Sequence, residues 1–389
     1  MSDSTKIATE ATVRQTSPPR APRTRTRARL LAAALSTLGA LLALELALRI
    51  AAQRANASTL RAALAQVQAP SEDPDAGLGN LIRLSENDRI LYELQPRLAG
   101  RTFRGTHVNT DDNGFRISPP VPADERTLVT IVGIGDSIMF GHGVEDHQTY
   151  LYRLQLLLQS AHPERRWRVI NTGVPGFNTV MEVETLRTRC LSLAPDLVIL
   201  NIVGNDYEPP YFVREPENTW ALDRSFLFDR LFAGEQMPAS DDDTRNPALF
   251  ARGTVWYAAG PGGERRIPQA YRSVFGKKAF EGALDALDAL SDEQGFDVLV
   301  FTTYEWDATV EMVASAVERG FPHVSLMPDL RAWMLREKGM EFAPLPYSKT
   351  ELVVGRRNSH PSALQHEMAA KRLYDDLGRL ELLDALAGD

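Results

Sequence analysis

From about residue 128 the chain alternates continuous apolar runs with amphipathic stretches. "LVTIVGIG" (residues 128–135) is a run of aliphatic side chains ending in glycine, and "WRVINTGV" (167–174), "DLVILNIVG" (196–204), "FDVLVFTTY" (296–304) and "HVSLMPD" (323–329) repeat the character. Between them, "TYLYRLQLLLQSA", "NTVMEVETLRTRCLSL", "FEGALDALDALSDEQG" and "ATVEMVASAVERG" place apolar residues at helical intervals, and "SALQHEMAAKRLYDDLGRL" reads as a closing helix. A strand that is apolar on both sides must be covered on both faces. The pattern therefore predicts a three-layer α/β/α fold around a mostly parallel central sheet. Ligands of such sheets bind beyond the carboxyl ends of the strands.

Residues 207–276 break this rhythm with "YEPPYF", an acidic "SDDDTR" and "GPGGERR". The stretch reads as an insertion over the carboxyl edge of the sheet, either a lid or substrate-selecting element or a surface decoration.

The N-terminus has a different pattern. Residues 1–29 are rich in Ser, Thr, Pro and Arg without apolar periodicity, the composition of a disordered tail. Residues 30–52, "LLAAALSTLGALLALELALRIAA", contain only Glu45 and Arg49 as charges and are long enough to cross a bilayer. Lys6, Arg14, Arg20, Arg23, Arg25, Arg27 and Arg29 precede the run against only Asp3 and Glu10, so the positive-inside rule keeps the tail cytoplasmic and places the rest outside, in a periplasmic compartment. A cleaved signal peptide processed near "ANA" (55–57) and a buried soluble helix are the alternatives. Residues 53–85 then read as a helical stalk and linker, and 86–389 as the folded body.

Composition adds exclusions. The 389 residues carry a net charge of −8, which argues against nucleic-acid binding, and 43% hydrophobic content is that of a globular chain. One cysteine, Cys190, excludes an internal disulfide and a Cys-rich zinc site. No residue set suggests a metal or a nucleotide cofactor, and nothing indicates an oligomeric state.

Candidate chemistry sits where the runs end. In "GIGDSIMFGHG", Ser137 occupies a strand-to-helix turn, where its hydroxyl is raised above the sheet and its own N–H lies near a helix start. In "NTGVPGFNT", Gly176 could offer an unencumbered N–H, and in "VGNDY" the amide of Asn205 could offer another donor. His360, in "GRRNSHPSALQH" before the last helix, could serve as a base. Each motif alone is commonplace; their order at successive strand ends is not.

That order resembles the SGNH (GDSL-type) hydrolase superfamily, over residues 128–377. "GDS" with "FGHGV" looks like its first block, "NTGVPGFNT" its second, "VGNDY" its third and "SHPSALQH" its last. Upstream, "LYELQPRLAG" and "VNTDDNGFR" look like the lead-in of membrane-anchored bacterial members. The resemblance implies a flavodoxin-like fold with Ser137 as nucleophile and His360 as general base. It implies an oxyanion hole from the N–H of Ser137, the N–H of Gly176 and the side chain of Asn205. Asp136 would brace the turn, His366 would be a helix residue, and His142 would line the pocket or simply belong to its loop.

One departure matters. Members usually carry an acid two or three residues before the histidine, where this chain has Asn358 and Arg357. Asn358 or a main-chain carbonyl would have to orient His360, with Arg357 turned to solvent. Three functions stay open: an esterase acting on a small-molecule or glycan ester, an O-acyltransferase acting on envelope glycans, and a weakened binding protein.

Overall fold

The computed structural model describes residues 23–68, 78–210, 212–213, 219–220, 222, 225–232, 255–256, 269–305, 307–356 and 358–387. Helix α1 (Arg23–Gln68) is continuous, so the apolar run and the stalk form one rod. Within it, Thr26–Arg54 is long and apolar enough to cross a membrane. Packed structure then begins earlier than the linker expected up to residue 85, because Leu78, Leu81 and Ile82 are already buried in the core.

Two short antiparallel pairs lead in: β1 (Ile82–Leu84) with β2 (Tyr92–Leu94), and β3 (Arg101–Phe103) with β4 (Thr106–Val108). The alternating body follows as β5 (Leu128–Ile134), α2 (Ser137–Phe140), α3 (Tyr150–Ala161), β6 (Arg166–Asn171), α4 (Thr179–Thr185) and β7 (Leu197–Asn201). Past β8 (Phe212–Val213), α5 (Phe226–Phe232) and β9 (Val255–Trp256) come α6 (Lys277–Gln294), β10 (Asp297–Thr302), α7 (Asp307–Glu318), β11 (His323–Ser325) and α8 (Met327–Trp333). The chain closes with α9 (Pro344–Tyr347), β12 (Val353–Gly355), β13 (Asn358–Pro361), α10 (Ala363–Arg379) and α11 (Leu382–Ala387).

Five strands form the central sheet in the order β11-β10-β7-β5-β6, with every neighbouring pair parallel. Renumbered along the chain this is the 2-1-3-4-5 order of flavodoxin-like folds. Alternate side chains of each strand enter different cores, as the period of two requires. Val132, Ile134, Val198, Leu200, Val298 and Val300 pack with α4, α6 and α7. Val129, Ile131, Leu197, Ile199, Leu299 and Phe301 pack with α3, α8 and α10. Strand order reverses at β5, since β6 lies on one side and β7 on the other. Doubly wound sheets bind ligands at the carboxyl end of such a switch point, and Ser137 follows β5 there. Residues 207–276 leave and rejoin this body at one point, where the Gly276 N–H donates to the Tyr207 carbonyl at 2.9 Å.

Candidate active site

The turn after β5 is built around Asp136. Its Oδ1 accepts the Ile138 N–H at 2.8 Å and so caps α2, while its Oδ2 lies 3.1 Å from Ser137 Oγ. Burial raises the Asp136 pKa, and hydrogen bonds from Ile138, Ser137 and the side chain of Asn205 oppose that rise. Helix α2 lasts only four residues. Gly141 ends it at φ 82°, in the left-handed region that suits glycine, with its N–H directed at the carbonyls of Ile138 and Ser137.

The β12–β13 pair brings the C-terminal segment over this turn. Asn358 and His360 are two apart on β13, so both side chains point to the same face. His360 Nε2 lies 2.8 Å from Ser137 Oγ, and His360 Nδ1 lies 2.7 Å from Asn358 Oδ1. The backbone N–H of His360 also donates to Asn358 Oδ1 at 3.2 Å. That donor settles which end of the amide faces the histidine, because a flipped amide would set NH₂ against N–H. With oxygen on that side, Nδ1 carries the imidazole proton and Nε2 is left as an acceptor for the Ser137 hydroxyl.

His142 holds the other end of the amide. Asn358 Nδ2 donates to His142 Nδ1 at 3.2 Å, and the His142 ring stacks on the His360 ring with centroids 4.0 Å apart. Phe103 meets His142 edge-on at 4.8 Å. Acceptance at Nδ1 requires a neutral His142, and burial, reinforced by His360 and Arg104, pushes its pKa down to about 2. Burial, with Arg104 as a second cause, lowers His360 to about 4. Both rings are therefore neutral at pH 7. Gly143 allows the close approach: at φ 87°, a Cβ there would come within 3.0 Å of Asn358 Nδ2.

Arg116, from "VNTDDNGFR", locks the loop that carries His142 and Gly143. Its Nε meets Asp146 Oδ1 at 2.6 Å, and its other nitrogens donate to the carbonyls of Phe140, Gly141 and Val144 at 2.5, 2.9 and 2.7 Å. The guanidinium lies 4.7 Å from the Phe140 ring centroid.

Glu182 on α4 and Asp206 after β7 are fully buried and interact with each other and with Asp136. Neither Glu182 oxygen has a hydrogen-bond partner among the described residues. Burial raises both pKa values well above the usual carboxylate range; repulsion from Asp206 and Asp136 adds to the shift of Glu182, and repulsion from Asp136 and Glu208 to that of Asp206. A folded-state pKa above the unfolded one means that stability falls as pH rises from the unfolded value toward the folded one. Glu182→Gln is expected to flatten that decline, so its melting temperature relative to wild type should be higher at pH 8 than at pH 5. Parallel shifts at the two values would show that Glu182 does not retain a proton.

Ser137, His360 and Asn358 are thus brought together. Gly176 is buried at φ 78° in the loop after β6, and Asn205 is half-buried beside Asp136. His366 is a helix residue on α10, where its Nδ1 accepts the Tyr150 N–H at 3.2 Å. Arg357, expected to face solvent, lies outside the described residues. Arg116 and Phe103 were not singled out as site residues. An arginine in an otherwise polar lead-in and the five-residue spacing of His142 from Ser137 are the signals that could have found this support.

No family model and no curated protein matches the chain. Among solved structures it is similar to an alpha/beta hydrolase enzyme from the metagenome of Lake Arreo, Spain, at 18% identity and TM-score 0.38, over 66% of this chain and 98% of that one. It is similar to an acetyl xylan esterase from Geobacillus stearothermophilus at 16% identity and TM-score 0.38, over 65% and 96%. It is also similar to a putative lipolytic protein of the G-D-S-L family from Desulfitobacterium hafniense DCB-2 at 11% identity and TM-score 0.36, over 64% and 98%.

Proposed function

We propose that this chain is a serine ester hydrolase that works through a Ser137–His360–Asn358 triad and an acyl-enzyme. The single observation that carries the reading is the continuous chain from Ser137 Oγ to His360 Nε2 at 2.8 Å and from His360 Nδ1 to Asn358 Oδ1 at 2.7 Å. The reading rests on these distances and not on the distant likenesses above.

Ser137 Oγ attacks the ester carbonyl while its proton passes to His360 Nε2. The oxyanion forms opposite the N–H groups of Ser137 and Gly176 and the side chain of Asn205. His360 returns the proton to the leaving alcohol, which breaks the ester C–O bond and leaves an acyl-Ser137. It then takes a proton from water, whose oxygen attacks the acyl carbonyl, and returns that proton to Ser137 as the acid departs. Asn358 holds the productive tautomer throughout, but as a neutral amide it balances the imidazolium less than a carboxylate would. Labelling of Ser137 by a fluorophosphonate, with hydrolysis of a short-chain aryl ester, tests the reading. A folded protein that took up no label would end it.

The pH profile checks the role of His360. A base must be neutral, so kcat/KM should fall only as pH drops through the low folded value of His360, about 4. It should be flat from about pH 5.5 to 7.5, and a limb at the ordinary histidine value would contradict the assignment. Asn358→Asp should raise the limb, because a carboxylate against Nδ1 favours the charged ring.

The same reading places α1 across a membrane, with the basic tail cytoplasmic and the catalytic body outside. The apolar span and the one-sided charge before it support this.

A further inference from the structure

Glu45 and Arg49 are the two charges inside the apolar span, and neither faces lipid alone. They pair at 2.7 Å, with side chains only 17% and 11% exposed. Their cover comes from the insertion. Glu45 Oε1 accepts the Phe226 N–H at 3.0 Å, and its Oε2 accepts the Leu227 N–H at 2.8 Å and the Ser225 hydroxyl at 3.0 Å. Arg49 donates to the Thr219 carbonyl at 2.9 Å, and its guanidinium lies 5.4 Å from the Phe226 ring centroid. The span thus caps α5 and clamps its flank.

Depth follows from helix geometry. At about 1.5 Å per residue, Glu45 lies about 23 Å and Arg49 about 29 Å beyond Leu30, where the basic tail ends. A hydrocarbon core of about 30 Å puts Arg49 at its far edge and Glu45 about 7 Å inside it, within the outer leaflet. At that level the clamped segment presents apolar side chains outward: Leu222 is 99% exposed, Leu231 65%, and Trp220 and Phe228 48% each. On α1 itself Leu42, Leu44 and Leu46 are exposed too. Ser225 is engaged by the clamp through its hydroxyl, and Thr219, itself buried, through its carbonyl.

We infer that α5 and the described exposed residues of its flank, Trp220 and Leu222, lie in the interface of the outer leaflet, with Leu222 and Leu231 among the acyl chains. The partner is the phospholipid bilayer that α1 crosses, so the inference rests on the membrane reading. The insertion starts two residues after Asn205. It therefore runs from the rim of the active site to the membrane surface and ties the catalytic body to it at a second point besides the stalk.

Cys190 is buried, so an introduced thiol can be labelled selectively. Full-length protein carrying Leu38→Cys, Leu222→Cys or Leu231→Cys, each with an environment-sensitive fluorophore, is placed in phosphatidylethanolamine–phosphatidylglycerol nanodiscs. A doxyl-labelled phospholipid is expected to quench all three positions, and aqueous iodide to leave them bright. Iodide quenching at 222 and 231, with lipid quenching only at 38, would overturn the interfacial placement and leave the anchor standing. Failure of lipid quenching at 38 would overturn the membrane reading and this inference with it. Shielding of 222 and 231 from both quenchers would mean that protein covers them, which also overturns it. Adding Glu45→Gln to Leu231→Cys should reduce lipid quenching; unchanged quenching would overturn the clamp.

Discussion

Ser137→Ala is expected to lower kcat for a short-chain aryl ester by roughly four decades or more, with the fold intact. Loss of Oγ removes the atom that would form the acyl bond and leaves His360 Nε2 without its 2.8 Å partner. What survives is the slow attack of water helped by the remaining donors. The fold should hold because Asp136 still caps α2 through Ile138, and the alanine methyl fits where the serine Cβ already stands. Steady-state rates with a thermal melt of both proteins check this. An unchanged rate would remove Ser137 from the chemistry and the triad reading with it.

Arg116→Met is expected to cost about 3–5 kcal/mol of stability, the penalty for breaking a buried ion pair by deleting one partner. Asp146 would keep a buried charge without its guanidinium, and the carbonyls of Phe140 and Val144 would lose the arginine donor together, while Gly141 would keep only the Val144 N–H. The damage should reach activity as well, since the loosened loop carries His142 and Gly143 against Asn358. Denaturant unfolding of the purified protein measures the loss, and Arg116→Met with Asp146→Leu should recover part of it. A single variant within about 1 kcal/mol of wild type would show that water replaces the guanidinium.

Much of the fold was legible because burial on both faces writes a strand as an unbroken apolar run. β5, β7 and β10 could hardly be anything else, and the helices between them kept their period. Ser137 and His360 were legible from residue type and place, since a small-residue turn after a strand and a histidine before the last helix are local features. Asn358 was legible as a candidate through strand periodicity, which gives residues i and i+2 one face. His142 was legible only as a pocket or loop residue and not as the holder of Asn358, because α2 is a single turn and no repeat announces where the chain goes after Gly141. The start of packing at Leu78 was hidden as well, because the core residues there sit beside a proline-rich, acidic stretch that looks like linker.

By itself, then, the sequence determined the alternation that builds the sheet, the turn that carries Ser137 and the residue types on which the proposed triad draws. These follow from local periodicity and side-chain chemistry. Tertiary structure alone decided what the Asn358 Nδ2 meets and what becomes of Glu45 and Arg49. The His360 N–H, two residues away, fixes which end of the amide faces the histidine, but the group that meets the other end is His142, 216 residues away. The membrane-level charges are met by backbone donors more than 180 residues further along. Hydrogen-bond partners that distant leave no period in a sequence, and only the folded chain brings them within 3 Å or so of one another.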